Sequence, residues 1–224
     1  MTNPSPAPYV SPIAYSERVE LLPLVLTSGW ASGINAYAVI TMLGLLGRYG
    51  GLDQVPDSLQ NPAVLIIAGG LFLVEFVTDK IPYVDTAWDT ISTFIRPTLA
   101  AMLGYLFAGQ ADTLGEAADQ WWYAFLGGGA ALASHLVKMG IRLGVNASPE
   151  PVTNVTVSLG EDITVVTIIT LVLYHPWLAL AIAVLLFAIG ITSVFVLFRL
   201  VRRGWRRWRN GGTSAPPSSE GTYV

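Results

Sequence analysis

Between residues 163 and 198 the chain carries no aspartate, glutamate, lysine or arginine. One helix of that length would measure about 54 Å, far beyond the hydrocarbon of a bilayer at about 30 Å. The run must therefore be two helices, and Tyr174, His175 and Pro176 supply the turn between them. Pro149 and Pro151 mark where the first of the pair begins, so the two helices are expected over residues 151–174 and 176–199. Residues 21–47, 61–79, 84–108 and 121–141 are apolar runs that also measure up to a membrane crossing. Asn61 and Pro62 give the second of these an N-cap and a first-turn proline.

The charge content agrees with that reading. Charged residues make up 12% of the chain and hydrophobic ones 53%, with a mean hydropathy of +0.55, whereas a soluble domain carries about 25% charged residues. So little charge cannot coat a water-facing surface, and lipid becomes the expected solvent and first partner. The predicted fold is an all-α polytopic membrane bundle of about six transmembrane helices. Residues 1–20 form an N-terminal cytoplasmic segment, 21–201 the transmembrane domain, and 202–224 a basic juxtamembrane stretch and a disordered cytoplasmic tail. The proline-rich start lacks the basic and apolar regions of a cleavable signal peptide. The absence of cysteine excludes disulfides, thiolate metal sites and cysteine nucleophiles.

Six crossings place both termini on one face, and the basic residues choose it. With the termini inside, the inner connections hold Lys80, Lys138 and Arg142, and the tail adds Arg199, Arg202, Arg203, Arg206, Arg207 and Arg209. The outer connections hold Arg48 among Asp53, Asp57, Asp112, Glu116 and Asp119, and Tyr49, Trp121, Trp122, Tyr123, Tyr174 and Trp177 form the outer aromatic belt. The expected location is the plasma (inner) membrane. Directly after a membrane helix, Arg202, Arg203, Arg206, Arg207 and Arg209 read as contacts to anionic lipid headgroups and not as a nucleic-acid surface.

Small residues recur on the helices. Ser28, Gly29, Ser32 and Gly33 form overlapping pairs four apart, and Gly69, Gly70, Gly127, Gly128, Gly129, Gly140 and Gly144 repeat the theme. Such residues let backbones approach closely, within one chain or between copies in a homo-oligomer. They equally suit a break in the first helix near Ser28 to Asn35, where Trp30 and Asn35 would line a cavity. A glycine cluster followed by Glu75, and another followed by His135, outline a weak parallel repeat of helical hairpins.

An ionisable side chain in hydrocarbon costs about 2.5–3.5 kcal/mol on the lenient insertion scale, so it faces protein or water and has a partner. At 1.5 Å per residue Glu75 lies about 7 Å from the inner boundary, His135 about 10 Å, Glu161 and Asp162 about 15 Å, and Arg96 about 18 Å. The five are expected to meet in the inner half of the bundle. Glu161 and Asp162 point about 100° apart, so one would pair with Arg96 while the other faces a cavity or a cation. Glu75, Asp79, Arg96, His135, Glu161, Asp162 and Asn35 are the candidates for a substrate or ion path, unless the cluster only fixes helix register. Asp85 and Asp89 share a helix face, a spacing that could hold a divalent metal, although first-turn carboxylates are also ordinary partners of the helix dipole. Thr90, Thr93, Thr153, Asn154, Thr156 and Ser158 could add neutral hydrogen bonds between helices. No phosphate loop, zinc-like histidine pair or nucleophile elbow is present, and no cofactor is expected.

The runs SGINAYAVITMLGLLGRYG (32–50), FLVEFVTDKIPYVDTAWDTISTFIRP (72–97) and SLGED (158–162), followed by His175 and Pro176, resemble the bacterial integral-membrane family catalogued as domain of unknown function 4126. The resemblance covers about residues 24–198 and implies a multi-helix membrane protein with the 75–97 segment as its most characteristic part. It carries no settled activity. The residues themselves suggest a small-solute or ion transporter or channel-like protein rather than an enzyme. The alternatives are a membrane-embedded enzyme for a lipid or isoprenoid phosphate, with Asp79, Asp85 and Asp89 gathering a metal, and an architectural scaffold.

Overall fold

The computed structural model describes residues 12–81, 83–110, 117–146 and 151–211. Six helices follow in order: α1 (Pro12–Gly50), α2 (Pro62–Thr78), α3 (Val84–Gln110), α4 (Ala117–Asn146), α5 (Pro151–Tyr174) and α6 (Pro176–Gly211). There is no strand among the described residues, and the chain is an all-α multi-pass bundle. The punctuation read from the sequence holds. Asn61 caps α2 by accepting from Ala63 N, Pro62 opens it, and His175 alone separates α5 from α6. The N-terminal segment before residue 12, loop residues Asp112 and Glu116, and the tail beyond residue 211 lie outside the described residues.

Among the described residues five helices are long and apolar enough to cross a membrane by length and composition, α1 among them over Glu20–Gly50. The remaining one, α2, has 17 residues and measures about 26 Å. α1 is the centre of the bundle, with 72% of its most apolar window buried, and α6 is the periphery, with 6%. An outward-facing helix this apolar has to be wetted by lipid.

α1 is two helices in one run. Asn35 leaves helical geometry, with φ −152° and ψ 95°. Ahead of it the chain runs beside α4: Gly29 lies on the Gly127 backbone, and Gly33 on Ala131 and Ser134. Past it the chain runs beside α2, Gly44 lying on Leu59 and Leu65. A straight helix would hold Glu20 and Gly50 about 45 Å apart. Instead Glu20 and Leu21 line one cavity of about 490 Å³ with Asp53 and Gln54, together with Gln110 at the end of α3 and Tyr174 at the end of α5. Both arms of α1 therefore reach the same end of the bundle. α6 runs parallel to α4, Gly190 meeting Val137, Gly140 meeting Val194 and Gly144 meeting Leu197. Its last turns thus lie at the opposite end from Glu20.

The helix bundle also shows what the glycines do. Gly29, Gly33, Gly104 and Gly127 sit where a Cβ would run into a neighbouring backbone, so close packing is their role. Packing and a break, alternatives in the sequence, both occur in α1. The two glycine clusters of the suggested repeat are not equivalent. Gly128 packs on Pro97 and Ala101 of α3, whereas its counterpart Gly69 meets Thr41 only at 3.9 Å; Gly129 and Gly70 both have open space around them.

Candidate functional site

The buried charges form one network at the turn of α1. On α3, Asp85, Asp89, Ser92 and Arg96 follow at spacings of four, three and four, and on α4 His135, Lys138, Arg142 and Asn146 follow at three, four and four. These spacings put each set on one helix face, and all eight residues are buried. Glu75 and Asp79 reach in from α2, and Asn154, Ser158, Glu161 and Asp162 from α5.

Arg96 is fully buried. Its Nη2 donates to Glu75 Oε1 and, at 2.9 Å, to Asp89 Oδ1. Its Nη1 donates to the Gly33 carbonyl at 3.1 Å and to His135 Nδ1 at 2.7 Å. A guanidinium only donates, so Nδ1 accepts and the His135 proton belongs on Nε2, which faces the Asp89 carbonyl and Thr93 Oγ1. Arg96 thereby occupies the nitrogen that a second proton would need.

Lys138 Nζ donates to Asp79 Oδ2 at 2.8 Å and to the Ile34 carbonyl at 3.0 Å, with Glu161 Oε2 at 3.4 Å and Asp89 Oδ1 at 3.9 Å. Arg142 holds Glu161 with two nitrogens, at 2.7 and 3.3 Å, and donates to the Asp79 carbonyl and Asn154 Oδ1. Asp85 accepts from Asn146 at 3.0 Å and lies 3.6 Å from Arg142. At the rim, Lys80 lies 3.6 Å from Asp162, donates to Ser158 and stands over the Phe76 ring. Asn35 Nδ2 donates to Asp162 Oδ1 at 3.4 Å. Asp79 caps α2 beyond its last turn. Its carboxylate faces Lys138 at 2.8 Å and Arg142 at 3.7 Å.

Glu75, Arg96 and His135 meet as the sequence suggested. Neither Glu161 nor Asp162 pairs with Arg96, however. Arg96 takes Glu75 and Asp89, while Glu161 goes to Arg142 and Lys138, and Asp162 to Lys80 and Asn35. The reason is helix packing: Lys138 and Arg142 of α4 reach Glu161, and Lys80 beyond the end of α2 reaches Asp162, so neither carboxylate is left for Arg96. Lys138 and Arg142, expected in an inner connection, are thus part of the site. Their spacing from His135 was the signal that could have found them. Asp85 and Asp89 face cations of their own chain, and no group of three or more metal-type side chains gathers among the described residues.

Counted formally, Glu75, Asp79, Asp85, Asp89, Glu161 and Asp162 face Lys80, Arg96, Lys138 and Arg142, six negative charges against four positive. Buried polar atoms on both sides of the network lack a partner, Arg96 Nε among the donors. Glu75 Oε2, Asp79 Oδ1, Asp89 Oδ2 and Asp162 Oδ2 are buried oxygens without a hydrogen-bond donor. Leaving such an acceptor unmatched in a dry interior costs about 1–3 kcal/mol.

A lipid-embedded helix bundle built around a broken central helix and a buried charge network defines a multi-pass membrane protein. The chain belongs to the family described as Domain of unknown function (DUF4126), whose model matches residues 22–195. No curated protein matches the chain, and no solved structure matches it.

Proposed function

We propose that this protein moves a small solute or an ion across the membrane, along a path through Glu75, Asp79, Arg96, His135, Glu161, Asp162 and Asn35, to which Lys80, Lys138 and Arg142 are added. The observation that carries this reading is the break in α1. Non-helical backbone at membrane depth survives only where protein or water satisfies it, and discontinuous helices are a recurrent way of building transporter sites. Here the Gly33 and Ile34 carbonyls at the break are held by Arg96 and Lys138, cations that also hold the acidic groups.

An enzyme acting on a lipid or isoprenoid phosphate would need Asp79, Asp85 and Asp89 free to converge on a metal. All three are buried and face lysine or arginine, which speaks against that reading.

The arginine-rich end of α6 is the cytoplasmic face of a plasma membrane in this reading. Arg202, Arg203 and Arg206 are exposed there to meet anionic headgroups, and the side chains of Arg207 and Arg209 lie outside the described set. Because α1 turns back at Asn35, the Glu20 end belongs to the opposite face, which revises the sequence expectation of two cytoplasmic termini.

The test is Glu75→Gln in protein reconstituted into vesicles with an entrapped pH dye and imposed proton and alkali-cation gradients. Gradient-driven flux in the native protein should fall about tenfold or more in the variant while thermal unfolding stays near native. Unchanged flux would take Glu75 out of the path, and a variant that no longer folds would assign the network to architecture.

A further inference from the structure

A cavity of about 330 Å³ opens between α1, α4, α5 and α6, directly beside the network. Its volume lies in the range of small-molecule sites. Trp30 and Ile34 of α1, Val137 of α4, Val157 of α5, and Leu186 and Phe187 of α6 make its walls apolar. The ionised groups at its wall are Glu161 and Lys138. The Lys138 side chain is 3% exposed and enclosed by Asp79, Glu161 and the Ile34 carbonyl, whereas the Glu161 side chain, its carboxylate held by Arg142 and Lys138, is 16% exposed. A solute entering here therefore meets Glu161 before it meets Lys138.

The charge balance decides the sign of that solute. The network already holds six formal negative charges against four positive, and its unmatched buried atoms include oxygens of Glu75, Asp79, Asp89 and Asp162. An anion would add to the surplus, at a place where weak dielectric screening makes each like-charge contact costly. A cation reduces it. A small inorganic cation would leave the apolar walls wetted by nothing suited to them, but an amine or quaternary ammonium bearing hydrocarbon groups matches both the walls and the carboxylate. Trp30 adds an aromatic surface of the kind that attracts such cations.

We propose that this cavity binds a hydrophobic organic monocation, with Glu161 as its charged contact and Trp30 and Phe187 among its apolar walls. This deepens the transport reading by naming a substrate class for the same site.

The experiment is equilibrium binding of radiolabelled tetraphenylphosphonium to the purified full chain in detergent, with oleate as the anionic competitor. The native protein should bind saturably. Glu161→Gln should weaken binding about tenfold or more, the scale of one lost charge contact. Ser193→Trp, which fills the cavity from α6 without touching an ion pair, should abolish it even if the Glu161 variant fails to fold. Oleate should not displace the probe. Absence of saturable binding to the folded native chain, native-like binding in a folded Ser193→Trp protein, or displacement by oleate would each overturn the proposal. Binding and flux separate the two readings. Cation binding without any gradient-driven flux would sink transport and leave this site standing, and flux without binding would do the reverse.

Discussion

Lys138 Nζ lies 3.0 Å from the Ile34 carbonyl oxygen, the acceptor that Ala38 N would use in an unbroken helix. Ala38 N instead donates to the Asn35 side chain at 2.9 Å. Asn35 thus starts the second arm of α1 as an N-cap, and Lys138 closes the first arm by occupying its freed carbonyl. A cation at a helix C-terminus is also favoured by the dipole. The turn and the charge network are therefore one construction, and disturbing either should disturb the other.

Lys138→Met should destabilise the protein by about 3–5 kcal/mol, because it leaves Asp79 and the Ile34 carbonyl without their buried donor. Adding Asp79→Asn should restore part of that loss by removing the stranded charge. Equilibrium unfolding in mixed micelles checks both, and a single variant as stable as the native chain would show that the pair contributes nothing.

At Asn35 the order of the variants matters more than any single value. Asn35→Ser retains a capping acceptor and should cost least, while Asn35→Ala should lose about 1–2 kcal/mol with the cap. Asn35→Asp keeps the acceptor but sets a carboxylate beside Asp162 Oδ1, now 3.4 Å away, and should be worse than serine. If serine proved as damaging as alanine, capping would not be what holds the break.

The fold-back of α1 predicts where single cysteines react, and the cysteine-free chain makes every label unambiguous. Glu20→Cys and Asp57→Cys should react with a membrane-impermeant maleimide from one face, and Leu200→Cys from the other. Labelling of positions 20 and 200 from the same face would mean that α1 crosses the membrane after all.

Glycine contacts give a paired comparison within two helices. A Cβ on Gly33 would lie 2.2 Å from the Ala131 carbonyl oxygen, whereas one on Gly129 meets nothing within 4 Å. Gly33→Ala should therefore cost about 1–3 kcal/mol through overpacking. Gly129→Ala should be neutral or stabilise slightly, since alanine is the better helix former. Thermal unfolding of the two variants side by side reads the difference, and equal melting would contradict the packing described here.

How much of this was legible beforehand follows from what each signal measures. Hydropathy and proline positions depend on local sequence alone, and they located the helices, the Asn61 cap and the Tyr174 to Pro176 turn without reference to any neighbour. The cost of ionised groups in lipid is equally local, so Glu75, Arg96 and His135 could be expected to meet. Which partner each charge takes depends on how the helices pack, and that is why local spacing offers Arg96 either Glu161 or Asp162 when Arg142 holds the one and Lys80 the other. The positive-inside rule places Lys138 and Arg142 in an inner connection because it counts charge near helix ends without knowing which face they point from.

The sequence by itself determined that this chain lives in lipid as a bundle of helices, because apolar length and charge scarcity leave no other solvent. It also offered a break in α1 somewhere from Ser28 to Asn35. Only the tertiary structure decided that the break reverses the chain: Arg96 and Lys138 arrive from α3 and α4 to hold the Gly33 and Ile34 carbonyls. Those donors come from residues 63 and 104 positions away, and a reversal of direction depends on contacts that no local pattern contains.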